Sequence, residues 1–185
     1  VFVYQAQYGR QLGTAAETIA LDSTRAPVLP DAASFEVGAC IGIPIMTAHR
    51  CVFADGPVAG QLIIVTGGAG RVGHYAIQWA HRAGARVIAT ASNEEDATAC
   101  REAGAEAVVN HRVPDWGKAV LDLTEGQKID RVIDVEFGAN LPELLNCVRI
   151  GATIATYSST EVPEPALPFR TCLLYTSDAA DEGWC

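Results

Sequence analysis

Three glycines are the residues whose type and spacing most clearly predict chemistry. Gly68, Gly70 and Gly73 form G-x-G-x-x-G directly after the apolar segment Leu62–Val65 and at the start of a helix-period pattern. In that context the first glycine permits a sharp turn, the second lets the backbone approach a pyrophosphate, and the third allows close helix–strand packing. The helix N-terminus adds free N–H groups and a dipole that attract anions. The stretch predicts a dinucleotide phosphate site; the alternative is a glycine-rich turn that binds nothing.

Strands and helices alternate after this turn, with short connections. Because such alternation builds parallel sheets with right-handed crossovers, the sequence predicts an α/β, doubly wound parallel sheet. Gly84, Gly104 and Gly151 are each expected to end a helix. The later predicted strands are 86–91, 107–109, 131–135 and 153–157, and the later predicted helices are 94–103, 114–123 and 141–148.

The flanking segments have weaker patterns. Val1–Val3 and Thr14–Leu21 are predicted strands at the end of a preceding domain, because two strands cannot form a core alone. Ser34 is expected to cap a helical turn through Cys40, and Pro44 to begin a helix that reaches about Phe53. Residues 161–168 contain three prolines and are predicted to form neither helix nor central strand. In helix 114–123 the predicted buried stripe is Trp116, Val120 and Leu123.

Composition limits the classes of protein. The chain has 185 residues, 49% of them hydrophobic, which is typical of a globular protein with one core and part of another. Its formal net charge of −9 makes nucleic acid an improbable partner. No apolar run approaches the roughly 18 residues of a membrane helix, and the first residues lack the pattern of a signal peptide. The six cysteines are scattered, which favours thiols in a reducing cytoplasm.

The last residues have an unusual composition. The segment CLLYTSDAADE, residues 172–182, looks like the translation of a sequencing-library adapter, so residues 172–185 are excluded from the predicted fold and function. We therefore expect the chain to be a fragment, cut at both ends, that lacks most of a first domain and the sixth strand of the sheet.

Several motifs together resemble one enzyme group. GACIGIPIMTAHR, VTGGAGRVGHYAIQWA, TASNEE and GAEAVVNHR resemble the zinc-free quinone oxidoreductases of the medium-chain dehydrogenase/reductase superfamily, the group that includes zeta-crystallin. The resemblance covers Val1 to about Phe169. GTAAETIAL resembles the end of that family's GroES-like β domain, and PALPF resembles its segment after strand five. The implied fold is a Rossmann-type domain with strands one to five, preceded by the end of a GroES-like domain.

The resemblance divides the chain as follows. Residues 1–30 would be the end of the GroES-like catalytic domain, 31–60 connecting helices, and 61–160 a truncated NADP(H)-binding Rossmann domain. Residues 161–171 would begin the return to the catalytic domain.

The same resemblance implies an activity. The family passes hydride from NADPH to a quinone or other conjugated carbonyl, without zinc, and usually as a homodimer or homotetramer. An enoyl-thioester reductase of the superfamily, or a nucleotide-binding crystallin-like protein without catalysis, are the alternatives. The catalytic residues are unknown, because the resemblance places them in the missing domain, and the fragment alone is expected to be inactive.

Candidate site residues follow from matched positions. His111 would lie near the adenosine phosphate, or be a surface loop histidine; Asn140 would line the nicotinamide side, or cap the next helix. Tyr157 and Thr47 would border the nicotinamide, or be ordinary packing residues. The full predicted cofactor set is Thr47, Gly68, Ala69, Gly70, Arg71, Val72, Gly73, Ser92, His111, Asn140, Tyr157, Ser158, Ser159 and Thr160.

The cofactor type and the absence of zinc depend on single positions. An NAD-selective site places Asp or Glu at the tip of strand two, whereas residues 91–93 are Ala-Ser-Asn, which favours NADPH. A lysine present just beyond in some relatives is replaced by acidic residues 94–96, so Arg71 or Arg112 would have to supply a cation. At the position of a zinc-ligating cysteine in the related alcohol dehydrogenases stands Ile43, which cannot bind a metal.

Overall fold

The structure is a computed structural model that describes residues 1–11 and 13–176, with side chains described as far as residue 172. The chain divides into two compact units, Val1–Thr47 and Ala48–Cys185. The predicted adapter-derived tail lies outside the described residues from 177 onward.

The first unit contains short helices. A 3₁₀ helix spans Ser23–Arg25, α1 spans Phe35–Cys40, and α2, Ile43–Phe53, begins in this unit and ends in the next. The predicted capping role of Ser34 is confirmed, since its side chain accepts a hydrogen bond of 3.3 Å from the Val37 N–H.

The strands predicted in the first unit are wrong. Val1–Val3 and Thr14–Leu21 have turn or irregular backbone, and no strand occurs among residues 1–11 and 13–47. The Phe2 and Tyr4 N–H groups donate to the Pro27 and Arg25 carbonyls, but these two backbone bonds do not make a strand of either segment. A strand requires a paired partner, and the run at 14–21 has none in the described chain. Its assignment to the end of a GroES-like domain stays a prediction.

The second unit is built on a five-stranded parallel sheet of order β3-β2-β1-β4-β5. This order, with helices in the connections, is that of a Rossmann-type doubly wound sheet, so the predicted fold class is confirmed. The elements in chain order are β1 Leu62–Val65, α3 Arg71–Arg82, β2 Arg86–Ala91, α4 Glu94–Ala103, β3 Ala107–Asn110, α5 Trp116–Leu123, β4 Ile129–Asp134, α6 Phe137–Cys147, β5 Val148–Thr156 and α7 Phe169–Thr176.

The side chains of the central strand β1 are buried on both faces of the sheet. All its residues, Leu-Ile-Ile-Val, are buried. Ile63 and Val65 belong to one hydrophobic cluster with α3 and α4, whereas Leu62 and Ile64 belong to another with α5 and α6. A continuous apolar run is typical of a parallel strand between two helical layers.

Helix α4 has the ends that the sequence predicts. The Asn93 side chain accepts from the Asp96 N–H at 2.9 Å, and Gly104 ends the helix with a left-handed φ of 115°. Residues 161–168 contain neither helix nor strand, as predicted. Of the helices in the described chain, none has the length and apolarity required to cross a bilayer.

Two helices differ from prediction. In α5, Trp116 and Val120 are buried but Leu123 is 52% exposed, so the predicted stripe is wrong at its third member. The buried row continues instead to Thr124, four residues after Val120, as helical periodicity requires. Helix α6 begins at Phe137, earlier than predicted, because the N–H of Phe137 is already bonded to the Ser158 carbonyl in the next connection.

Gly151 does not end a helix. It lies within β5 with a φ of 72°, where the pairing with β4 shifts from Ile129 opposite Val148 to Arg131 opposite Thr153. The extra residues of β5 form a bulge there, and a positive φ in a bulge favours glycine.

Candidate functional site

Two adjoining cavities lie at the carboxyl ends of the strands. The first has a volume of about 460 Å³ and lies between the loop after β1 and the end of β2. The second, of about 380 Å³, lies between α6 and the loop after β5. Both are lined by Gly67, Thr90, His111 and Val135, so they meet beside the point where the strand order reverses. Open α/β sheets bind ligands in this crevice.

The loop after β1 is held by Thr90 of β2. The Gly67 N–H donates to the Thr90 hydroxyl at 3.0 Å, and the Gly68 N–H donates to the Thr90 carbonyl at 2.9 Å. The left-handed residue of the turn is Gly67, with a φ of 59°, one position before the predicted Gly68. The sequence therefore identified the turn but not the residue that makes it.

Gly68 and Gly73 are required by packing. A Cβ on Gly73 would lie 2.3 Å from the Gly67 carbonyl oxygen, and a Cβ on Gly68 would lie 2.7 Å from the Cys100 sulfur. A Cβ on Gly70 would meet only the Gly67 carbonyl oxygen, at 3.1 Å, and this glycine borders the first cavity. Gly68 and Gly73 allow close packing on the side of the loop that faces the protein interior. Gly70 borders the cavity with its backbone.

No side chain of α3 itself caps its N-terminus or places a negative charge there. Its N-cap, Gly70, makes no side-chain hydrogen bond, and its first turn contains no acidic residue. By contrast, α4 is capped by Asn93 and has three acidic residues in its first turn. Arg71 begins α3 and lines the first cavity, although a cation there opposes the helix dipole. The free N–H groups and Arg71 together favour a bound anion.

A buried carboxylate, which sequence reasoning missed, supports the second cavity. Asp134 at the end of β4 is fully buried and accepts from the Thr66 hydroxyl at 2.7 Å and the Asn140 amide at 2.8 Å. Thr66 in turn accepts from the Val135 N–H at 3.0 Å. Asn140 lies inside α6 and lines the cavity, so the N-cap alternative is wrong. The available signal was an aspartate that directly follows the apolar pair Val132 and Ile133 at the end of β4.

Glu136 fastens the loop after β5 to the start of α6. Its carboxylate accepts from the N–H groups of Thr160 at 2.8 Å and Glu161 at 3.0 Å. Ser159 accepts from the Gly138 N–H at 3.0 Å. Sequence reasoning missed Glu136 because its partners lie far along the chain.

The structure brings most of the predicted site residues together. The first cavity is lined by Ala69, Gly70, Arg71, Val72, Ser92, His111 and Tyr157, and the second by His111, Asn140, Ser158 and Thr160. Gly68, Gly73 and Ser159 line neither of these two cavities. Thr47 is half-buried on α2 and belongs to the first unit.

His111 and Tyr157 have environments that fit a ligand site. The Nδ1 atom of His111 is buried without a hydrogen-bond partner among the described residues. Burial lowers the pKa of His111, with a further contribution from Arg112, so the imidazole is neutral near pH 7. Burial likewise raises the pKa of Tyr157, whose ring packs against the core as well as lining the cavity.

The low pKa of His111 predicts an acid-dependent loss of stability. At a pH between the folded pKa of His111 and its ordinary value of 6.5, the unfolded chain binds more protons than the folded chain. The contribution of His111 to stability is therefore complete above pH 6.5 and is lost as the pH falls. We expect His111→Asn, whose side chain does not titrate, to flatten this dependence below pH 6.5 and to leave it unchanged above. Urea unfolding between pH 8 and 5 tests it; identical pH dependence in variant and parent would contradict it.

Metal ligation finds no support in the described residues. Within residues 1–11 and 13–172, no group of three or more His, Cys, Asp or Glu side chains is arranged to hold a metal ion.

The sheet order, the glycine loop and the crevice define a Rossmann-type α/β domain. The chain belongs to the zinc-binding dehydrogenase family, whose sequence model matches residues 72–178. The resemblance to quinone oxidoreductases of the medium-chain dehydrogenase/reductase superfamily is confirmed.

Relatives include both quinone and enoyl-thioester reductases. The chain is 32% identical over 132 residues to the human quinone oxidoreductase, covering 71% of this chain and 40% of that protein. It is 29% identical over 168 residues to a crotonyl-CoA reductase of Streptomyces avermitilis, covering 80% and 38%. The chain thus spans about two fifths of the length of these curated relatives.

Solved structures agree with the fold. A quinone oxidoreductase of Pseudomonas syringae has a TM-score of 0.72 and 26% identity, over 82% of this chain and 47% of that one. A mycobacterial protein complexed with NADPH has a TM-score of 0.71 and 29% identity, over 77% and 44%. Proteins of this class use nicotinamide cofactors.

Proposed function

We propose that the chain is the cofactor-binding part of a zinc-independent oxidoreductase that transfers hydride from NADPH to a quinone or other conjugated carbonyl. The observation that carries this proposal is the pair of adjoining cavities at the carboxyl edge of the sheet, beside an uncapped helix N-terminus. The whole protein would be a cytoplasmic homodimer or homotetramer, and the chain alone would not catalyse the reaction.

Each part of the cofactor has a proposed position. The backbone amides of Arg71 and Val72 would hold the pyrophosphate, which leaves the Arg71 guanidinium for a 2′-phosphate. Ser92 and His111 would border the adenosine half, and the buried His111 Nδ1 would gain the hydrogen-bond partner it lacks. Asn140 and the loop at 157–160 would border the nicotinamide. NADPH, when bound, would supply the hydride. These residues would bind and orient the cofactor and exclude water from it.

NADPH is proposed over NADH for two reasons. Residues 91–93 at the end of β2 contain no carboxylate, so none of these three side chains repels a 2′-phosphate. Arg71 lines the same cavity and forms no ion pair within the described chain, so its charge is available to a phosphate. The NADPH bound to the mycobacterial relative is consistent with this choice.

The second candidate is reduction of an enoyl thioester. It is favoured by the similarity to crotonyl-CoA reductase. Both candidate reactions deliver hydride to a conjugated system and share the cofactor half. A nucleotide-binding protein without catalysis, like a crystallin, is the third possibility.

Turnover by the full-length parent protein separates these functions. We expect oxidation of NADPH with 1,4-naphthoquinone to be faster than with crotonyl-CoA, followed by the absorbance of the reduced nicotinamide. The reverse order would favour the thioester reductase. Binding of NADPH without oxidation by either acceptor would favour the crystallin-like role, and failure to bind any nicotinamide nucleotide would overturn the proposal.

A further inference from the structure

An acidic side chain outside the predicted set lies in the wall of the first cavity. Asp96, in the first turn of α4, lines this cavity together with Ser92. Its Oδ2 accepts from the Ser92 hydroxyl at 3.2 Å and from the Asn93 side-chain amide at 2.8 Å. The Asn93 side-chain oxygen in turn accepts from the Asp96 N–H at 2.9 Å. These bonds hold the carboxylate beside the end of β2.

The charge of this carboxylate is not neutralised by its neighbours. Asp96 forms no ion pair with any residue that the structure describes. His111, which lines the same cavity, is neutral near pH 7 because burial lowers its pKa. An anion entering this part of the cavity would therefore meet a negative charge. Among the described residues, Arg71 at the start of α3 is the cation that lines the cavity and would attract the anion.

The same hydrogen bonds engage the donors that a phosphate would need. The Ser92 hydroxyl has one proton, and it is directed at Asp96. One amide donor of Asn93 is directed there as well. Ser92 can then accept from a ribose hydroxyl but cannot donate to a 2′-phosphate at the same time. A carboxylate near the end of strand two usually accepts from the ribose and disfavours the phosphate.

We propose that Asp96 is a specificity-determining residue that weakens binding of a 2′-phosphate and accepts a hydrogen bond from an unphosphorylated ribose. The inference rests on the proposed function. Because residues 91–93 contain no carboxylate, the site would otherwise favour NADPH over NADH, and Asp96 reduces this difference in affinity. The chain should accept both cofactors, with affinities that differ by less than about tenfold.

Calorimetric titration of this chain with two adenosine-half ligands tests the inference. The ligands are ADP-ribose and its 2′-phosphorylated form, which differ only in the phosphate and do not require the nicotinamide pocket. Asp96→Asn removes the charge and keeps the size and one acceptor oxygen. Glu95→Gln removes the same charge from the neighbouring exposed position, which does not line the cavity, and is the matched control.

We expect Asp96→Asn to raise the affinity for the phosphorylated ligand about tenfold relative to the unphosphorylated one, and Glu95→Gln to change the ratio by less than about twofold. An unchanged ratio in Asp96→Asn, or an equal change in both variants, would overturn the inference and leave the proposed function intact. If the unsubstituted chain bound neither NADPH nor either adenosine-half ligand, the proposed function itself would be overturned. If Asp96→Asn does not fold, Asp96→Ser removes the charge and gives the same test.

Discussion

Replacing Gly73 by alanine is expected to abolish dinucleotide binding and to lower the free energy of unfolding by about 1–3 kcal/mol. The added Cβ would lie 2.3 Å from the Gly67 carbonyl oxygen and 2.9 Å from the Gly68 Cα. Both are backbone atoms, so α3 must move away from the loop to relieve the overlap. The movement displaces the amides that are proposed to hold the pyrophosphate. Thermal shift with NADPH and urea unfolding measure the two effects.

Gly70→Ala is the matched control for the loop. Its Cβ has one close neighbour, the Gly67 carbonyl oxygen at 3.1 Å, and its φ of −68° suits any residue. We therefore expect stability to change by less than about 1 kcal/mol, while the methyl group, which borders the cavity, weakens NADPH binding. Equal loss of stability in the two variants, or undiminished binding by Gly73→Ala, would contradict this account of the loop.

The elements that could be predicted from the sequence are those fixed by nearby residues. The strand–turn–helix around Gly68, the ends of β2 and the limits of α4 depend on short apolar runs, caps and glycines within a few positions. The Rossmann-type sheet then follows from the alternation of strands and helices. The same local signals located the glycine loop that lines the first cavity.

The elements that could not be predicted depend on partners distant in the chain. The early start of α6 involves a bond from Phe137 to Ser158, and the position of Gly151 reflects the register between β4 and β5. Thr66 and Asp134 are 68 residues apart, so no local pattern links them. Asp96 was visible as part of an acidic run, but its place in the cavity wall depends on how α4 packs.

Asp134→Ala is expected to lower the free energy of unfolding by about 3 kcal/mol and to weaken NADPH binding. The carboxylate is fully buried and accepts from Thr66 at 2.7 Å, Asn140 at 2.8 Å and Thr156 at 3.4 Å. Alanine leaves these donors without that acceptor and opens a void. Binding should weaken because Asn140, which lines the second cavity, loses the bond that orients it. Urea unfolding and NADPH titration measure these changes.

A double-mutant cycle distinguishes this network from general disruption of the core. If Asp134 and Asn140 act together, Asn140→Ala should cost less in the Asp134→Ala background than in the parent, with a coupling free energy of at least about 1 kcal/mol. Thr156→Val removes the longest of the three contacts together with an exposed 3.1 Å bond to the Ser158 carbonyl, and it should cost less than about 1 kcal/mol. Additive effects of Asp134→Ala and Asn140→Ala would show that the amide is held by its helix alone. In that case the role of Asp134 would be confined to the junction of β1 and β4, where its other short bond, to Thr66, joins the two strands.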